Sequence, residues 1–252
     1  MRRRITIHPA YDRLSGFLSQ LPGQYDALGR LVHDGRNTVR CMEQGGVTMV
    51  VKRFRRPLWF QRVAYTLFRP TKARRAYEYA LRYRELGFDT PAPIACIEER
   101  PGGLFSRGYF VAEADFRPSC MPFDGRTEAI PDEMLEALAR HVAAFHERGI
   151  LHGDLSLSNI LCDHPRPEEW HFAFIDINRS RFLSRAVPRR AAAREVAVLT
   201  YDGELLRRFS LLYARFRHWD EAAFAAATLA QLVRRTKRKG RLARLQNRRR
   251  RR

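Results

Sequence analysis

The sequence predicts an α+β protein of two lobes, a small β-rich N-terminal lobe followed by a mostly helical C-terminal lobe. Three features carry that prediction. A β-branched apolar run, Val47-Thr-Met-Val-Val, sits between turn-forming residues near the N-terminus. A helical apolar stripe, Met134, Leu135, Leu138, Val142 and Phe145, opens the second half. Between the two halves a polar, proline-containing stretch runs to Pro131 and marks the lobe boundary. A chain of 252 residues, 45% of them hydrophobic, can bury a core of this size. The expected divisions are residues 1–115, 116–233 and a basic tail, 234–252.

The elements follow in order. Residues 28–40 and 46–54 read as a strand pair, with Pro57 ending the pattern. A helix is expected over 71–86, where Ala73, Ala76, Tyr77, Ala80 and Leu81 recur at helical spacing and Gly87 serves as C-cap. It is the only helix expected in the first half. Pro91 and Pro93 lead into a short strand at Ile94-Ala-Cys-Ile, and 108–112 is a further strand. The helix that starts at Asp132 has acids in its first turn, which complement the dipole, and Gly149 stops it. Short strands are expected at Ile150-Leu-His, Ile160-Leu-Cys and Phe172-Ala-Phe-Ile, with the turn-rich Asp163-His-Pro-Arg-Pro-Glu-Glu between the last two. Helices over 191–233 close the fold.

Charge is uneven. Of 47 Lys and Arg, twelve lie in residues 234–252 with no acid among them, which leaves 35 basic against 27 acidic residues elsewhere. Such a tail suits an anionic partner, whether membrane headgroups, a phosphorylated glycolipid or nucleic acid; a solvated end that only aids solubility is the plainer alternative. Cys41, Cys96, Cys120 and Cys162 show neither CxxC nor metal-ligand spacing, which predicts neither a disulfide framework nor a zinc site. Arg2, Arg3 and Arg4 precede no long apolar stretch, and the apolar run 222–233 is too short to span a bilayer. The expected location is cytoplasmic, peripheral to a membrane.

The sharpest chemical signal is His152-Gly-Asp-Leu-Ser-Leu-Ser-Asn159, followed by Phe174-Ile-Asp176. One loop supplies a carboxylate and, five residues on, an amide; the end of the next strand supplies a second carboxylate. Phosphoryl transfer uses such a set: Asp154 to accept the attacking hydroxyl's proton, Asn159 and Asp176 as hard oxygen ligands for Mg²⁺. The alternative is a turn stabilised by Asp154 and Asn159, with Asp176 as a cap. Lys52, in Val50-Val-Lys-Arg-Phe, is a cation on an apolar strand that can reach the phosphates of a nucleotide. Its expected partner is Glu78 on the following helix, with Glu85 in reserve; a solvent-facing lysine is the alternative. Gly35 and Arg36 lie in the connection His33–Arg40, which either covers phosphates through its N–H groups or is an ordinary hairpin turn.

The order strand Lys, helix Glu, HGDxxxxN and Asp resembles the protein-kinase-like superfamily, and HGD in place of HRD resembles its small-molecule members. Val51-Lys-Arg-Phe, Arg75-Ala-Tyr-Glu-Tyr, Gly87-Phe-Asp-Thr-Pro-Ala-Pro and Ile175-Asp-Ile-Asn-Arg are similar to lipopolysaccharide core kinases. The resemblance spans about 28–182. It implies a bilobal protein-kinase-like fold, ATP and Mg²⁺, and a sugar hydroxyl as acceptor, foremost that of 3-deoxy-D-manno-octulosonic acid (Kdo) on a lipid A precursor. By the same resemblance Lys52, Glu78, Asp154, Asn159 and Asp176 take the family's functional positions. Gly153 replaces the catalytic-loop Arg of protein kinases, Ile177-Asn178 replaces Phe-Gly, Ser156 stands where a Lys is usual, and no APE motif follows. These departures argue against a protein substrate and leave Arg179 or Arg181 as candidate cations for phosphate or acceptor. The rival readings are a phosphotransferase for a soluble small molecule, of aminoglycoside or choline kinase type, and a non-catalytic kinase-like scaffold that binds nucleic acid. No RNP, KH or zinc-finger pattern supports a nucleic-acid partner.

Overall fold

The computed structural model describes residues 2–123, 128–166 and 169–250, with side chains up to Arg241. Parts of three expectations fall outside this description: 124–127 of the boundary stretch, Pro167 and Glu168 of the turn-rich connection, and the tail's side chains beyond Arg241. The chain forms two compact units, one of residues 1–116 with 176–178, the other of 117–175 with 179–252.

The first unit is built on a six-stranded antiparallel sheet. Its strands are β1 (Arg3–Ile7), β2 (Arg30–Asp34), β3 (Thr38–Gln44), β4 (Val47–Arg53), β5 (Pro93–Glu99) and β6 (Arg107–Glu113), in the order β1-β5-β6-β4-β3-β2. Within the span 28–40, β2 and β3 form a hairpin that turns at Gly35-Arg-Asn37, inside the His33–Arg40 connection. Asn37 Oδ1 there accepts the N–H of Arg55 at 3.1 Å. The sheet's two faces are covered differently. Helix α1 (Ser15–Gln24) packs Leu18 and Leu21, together with the flanking Leu14 and Tyr25, on Met49, Val51, Ile94, Ile97, Tyr109 and Val111. Helix α3 (Lys72–Glu85) places Ala73, Ala76 and Tyr77 against Phe54, Cys96 and Phe110. Because strand residues alternate faces, Val51 enters the first core while Lys52 points to the face that carries α3.

Among the described residues the first half holds three α-helices rather than one, with α2 (Trp59–Leu67) between β4 and α3. The 71–86 helix is close to expectation: Thr71 caps it, its Oγ1 accepting the Arg74 N–H at 3.1 Å, and Gly87 follows in the left-handed region at φ +82°.

The second unit is mostly helical. Helix α4 (Asp132–Glu147) buries Met134, Leu135, Leu138, Val142 and Phe145. It packs against α6 (Gly203–Phe216), which packs in turn on α7 (Glu221–Arg250), with the short α5 (Arg189–Val196) beside α7. Two small ribbons carry the loop of interest: β7 (Ile150–Leu151) with β10 (Arg181–Phe182), and β8 (Ile160–Arg166) with β9 (Glu169–Phe174). The final helix does not stop at Val233. It runs on through the basic tail, and its first tail residues are docked: Arg235 Nη1 donates to Ala197 O at 3.2 Å, and Arg235 and Lys239 lie 4.2 and 4.7 Å from the Tyr201 ring. All four cysteines are free thiols.

Candidate active site

Asp154 lies on a loop whose backbone is fixed from three directions. The His152 ring joins the loop to the end of β9: Nε2–H donates to Ile175 O at 3.0 Å, and Nδ1 accepts the Asp154 N–H at 3.2 Å. Gly153 sits at φ +78°, and a Cβ there would fall 2.6 Å from Arg179 O. That explains why HGD cannot be HRD in this chain: an arginine would be strained by φ and blocked by the Arg179 carbonyl. Asn159, one turn on, donates its Nδ2–H to Asp154 O at 2.9 Å, which aims its amide oxygen elsewhere. The Asp154 carboxylate itself is partly exposed and accepts from Arg179 Nη1 at 3.0 Å.

The third fixing group is one that sequence reasoning missed. Glu195, buried on α5, accepts the His152 N–H at 3.0 Å, the Gly153 N–H at 2.6 Å and His146 Nε2–H at 2.9 Å. A relay of donors stands behind it: Arg217 donates to Tyr213 Oη at 2.6 Å, and Tyr213 O–H donates to His146 Nδ1 at 2.7 Å. Every donor in that series points toward Glu195, which fixes the His146 tautomer and polarises the set cooperatively. Burial alone would push the Glu195 carboxyl up. The hydrogen bonds from His146 and from the loop N–H of Gly153 outweigh it, and the net shift is downward. No spacing announces such a group: it lies 41 residues after Asp154 and reaches the loop only through tertiary packing.

The sign of the pH effect follows. Glu195 titrates lower in the folded than in the unfolded chain. Its contribution to stability is therefore full above the unfolded carboxylate value and is lost as pH falls through the folded one. Glu195→Gln replaces an acceptor oxygen by an amino group facing N–H donors. We expect it to cost about 1–3 kcal/mol or more at neutral pH, and to flatten the acid limb of the stability profile below about pH 4.5. Denaturant titrations of both proteins at pH 7 and pH 4 check this; parallel acid limbs would refute it.

In the first unit, Lys52 Nζ donates to Asp176 Oδ1 at 2.7 Å, and Asn178 Nδ2 donates to the same oxygen at 2.5 Å. Asp176 has φ +57°, a left-handed backbone that non-glycine residues seldom adopt and that aspartate tolerates better than most. Among the described residues the expected Lys52–Glu78 pair is not formed. Glu78 accepts from Arg74 Nε at 2.7 Å. Arg74 is one turn earlier on the same face of α3, the favoured spacing for such a pair, and Lys52 already has a carboxylate. Glu85, the reserve, is exposed at the end of α3. Gly35 and Arg36 occupy the tip of the β2–β3 hairpin, with Gly35 N–H donating to Asn37 O at 3.3 Å and Arg36 exposed. Arg181 is exposed on β10.

Each unit offers oxygen donors of the kind a hard divalent cation takes. In the first unit Asp176 keeps a second carboxylate oxygen beside the one that receives Lys52 and Asn178; in the second, Asn159 offers an amide oxygen. Mg²⁺ is commonly held by one or two such groups, with phosphate and water completing the shell. No cluster of three His, Cys, Asp or Glu that could hold a metal exists among the described residues.

A model of the lipopolysaccharide kinase (Kdo/WaaP) family matches residues 29–227. The chain belongs to this family. It is thereby a phosphotransferase that acts on a sugar hydroxyl, a kinase of lipopolysaccharide. Among solved structures, WaaP in complex with acyl carrier protein is similar at a TM-score of 0.63 and 21% identity, over 92% of this chain and 98% of that one. WbdD is similar at a TM-score of 0.50 and 20% identity, over 81% of this chain and 45% of that one. These likenesses give the fold, which is protein-kinase-like as the motifs implied. Lys52, Glu78, Asp154, Asn159 and Asp176 all fall inside the family match.

Proposed function

We propose that this kinase transfers the γ-phosphate of ATP to a hydroxyl of Kdo on a lipid A precursor. Lys52 holds the α- and β-phosphates, while Gly35 and Arg36 cover them from the hairpin tip. Glu78, by leaving Arg74, becomes available to Lys52 when the lysine turns to phosphate. Asp154 accepts the proton of the attacking hydroxyl. Asn159 and Asp176 hold Mg²⁺, which offsets charge on the phosphates. The observation that favours an acidic acceptor is Arg179, whose guanidinium lies 3.0 Å from Asp154. An exposed ion pair of this kind contributes about 0–1 kcal/mol, so Arg179 can exchange Asp154 for the sugar carboxylate at little cost. The test is label transfer from γ-labelled ATP to Kdo-bearing lipid A precursor, to heptose-bearing core and to soluble sugars. Preference for the Kdo acceptor supports the reading; preference for heptose or a soluble sugar reassigns the acceptor.

The tail of α7 supports a place at the cytoplasmic face of an anionic membrane, where such acceptors are exposed. No helix among the described residues is long and apolar enough to cross a membrane, so attachment would be peripheral. Each Lys or Arg near an anionic surface is worth about 1 kcal/mol. We expect deletion of residues 237–252 to remove most of the salt-sensitive part of vesicle binding, since the Debye length falls from about 10 Å at 0.1 M to about 3 Å at 1 M salt. Co-sedimentation across a salt series reads this; an unchanged salt dependence would dismiss the tail.

A further inference from the structure

Helix α2 is mounted with its apolar side outward. None of its residues is buried. The bonds that fix it to the β5–β6 connection use its polar groups: Arg62 Nε donates to Phe105 O at 2.7 Å, and Thr66 Oγ1 accepts the Phe105 N–H at 2.9 Å. Tyr65 lies edge-on to the Phe105 ring on the same side. Trp59, Phe60, Val63 and Leu67, which recur at helical spacing, are exposed, as are Leu58 and Phe68 at the two ends; Trp59 is 75% and Phe68 78% exposed. A helix of a globular protein normally does the reverse and turns its apolar stripe to the core. Single exposed leucines are common, whereas six large apolar residues on one short segment mark a contact surface.

The surroundings say what touches it. From residue 44 to 77 the chain carries nine Lys or Arg and no acid. Arg55 and Arg56 precede the helix, Arg69 follows it, and all three are exposed. Beside its N-terminal end is a cavity of about 340 Å³ lined by Arg36, Arg55, Arg56 and Lys72 together with Leu58 and Gln61. An apolar stripe with Trp and Phe, flanked by arginines, is the pattern of a helix that lies in a membrane interface. A protein partner would need acids and apolar side chains in register with this surface; an anionic bilayer supplies both without register.

We propose that α2 is an interfacial membrane helix, seated in an anionic phospholipid bilayer. Trp59, Phe60, Val63 and Leu67 lie among the acyl chains, and Arg55, Arg56 and Arg69 meet headgroup phosphates. The inference is independent of the acceptor sugar and of the tail, because it rests on a different element.

The full chain is to be sedimented with vesicles of phosphatidylcholine alone and with phosphatidylglycerol added. The variant Trp59→Ser/Phe60→Ser/Leu67→Ser keeps the tail and the Arg62 and Thr66 contacts. It should bind phosphatidylglycerol vesicles at least about tenfold more weakly than wild type, with an unchanged Tm because the three side chains are exposed. Should that variant melt early, a second arm decides. Brominated acyl chains should quench wild-type tryptophan emission, and Trp59→Phe, which keeps the apolar face, should lose that quenching. Wild-type-like binding by the triple variant, quenching that survives Trp59→Phe, or equal affinity for phosphatidylcholine alone would each overturn the proposal. Self-association abolished by the triple substitution, with vesicle binding untouched, would assign the face to a second copy of the chain and overturn it too.

Discussion

Asp154→Asn is expected to leave nucleotide affinity unchanged and to slow phosphoryl transfer by about 10²–10⁴-fold, the span that a lost general base produces. The substitution is nearly isosteric, and the groups that position residue 154 are backbone groups: its N–H on His152 Nδ1 and its carbonyl beneath Asn159 Nδ2. Neither bond involves the altered side chain. What disappears is an oxygen able to take a proton, together with the exposed pair to Arg179. The effect should therefore fall on kcat, with KM for ATP nearly constant. Single-turnover rates beside equilibrium binding of a fluorescent nucleotide separate the two. A rate within a few-fold of wild type would remove Asp154 from the chemistry.

Asp176→Ala is expected to abolish metal-dependent transfer. The carboxylate is the anionic ligand in the proposed Mg²⁺ set, and metal stabilisation worth several kcal/mol corresponds to about 10³-fold or more in rate. Alanine also fits the left-handed backbone at φ +57° less well than aspartate, which adds about 1 kcal/mol of instability. Asp176→Asn separates the two effects. It retains local hydrogen bonding and tolerance of that backbone region, yet removes the charge. Its activity should return only in part, and only at raised Mg²⁺. Full activity of Asp176→Asn at the wild-type metal concentration would contradict the assignment of Asp176 as the anionic ligand.

What could be read from the sequence was what is local. The β4 run, the α3 and α4 stripes and the His152–Asn159 loop each declare themselves through periodicity or spacing within a single element. Helix α1 was hidden because Pro22 lies inside it and Gly16 and Gly23 weaken its propensity, although Leu14, Leu18, Leu21 and Tyr25 do recur at helical spacing. Helix α2 gave no core signal because its apolar stripe faces outward. Strand β1 was masked by Arg3 and Arg4 at its start, which leave only Ile5 and Ile7 as apolar residues of this edge strand. The Asp154 loop and Asp176 could be named as candidates because they fall in one short motif and at the end of the next strand. Glu195 could not, since a buried acid that serves backbone N–H groups has no sequence pattern of its own. The Glu78 expectation met a competitor, Arg74, whose i,i+4 position is plain in the sequence and which pairs with Glu78 at 2.7 Å.

The central claim is that Asp154 activates a Kdo hydroxyl for attack on ATP. The most direct measurement follows label from γ-labelled ATP, with Mg²⁺, into Kdo-bearing lipid A precursor, for wild type and Asp154→Asn at equal nucleotide occupancy. The account predicts labelled acceptor with wild type and at least about 10²-fold less with the variant. Equal labelling by both proteins, or label that never enters the Kdo acceptor with either, would contradict it.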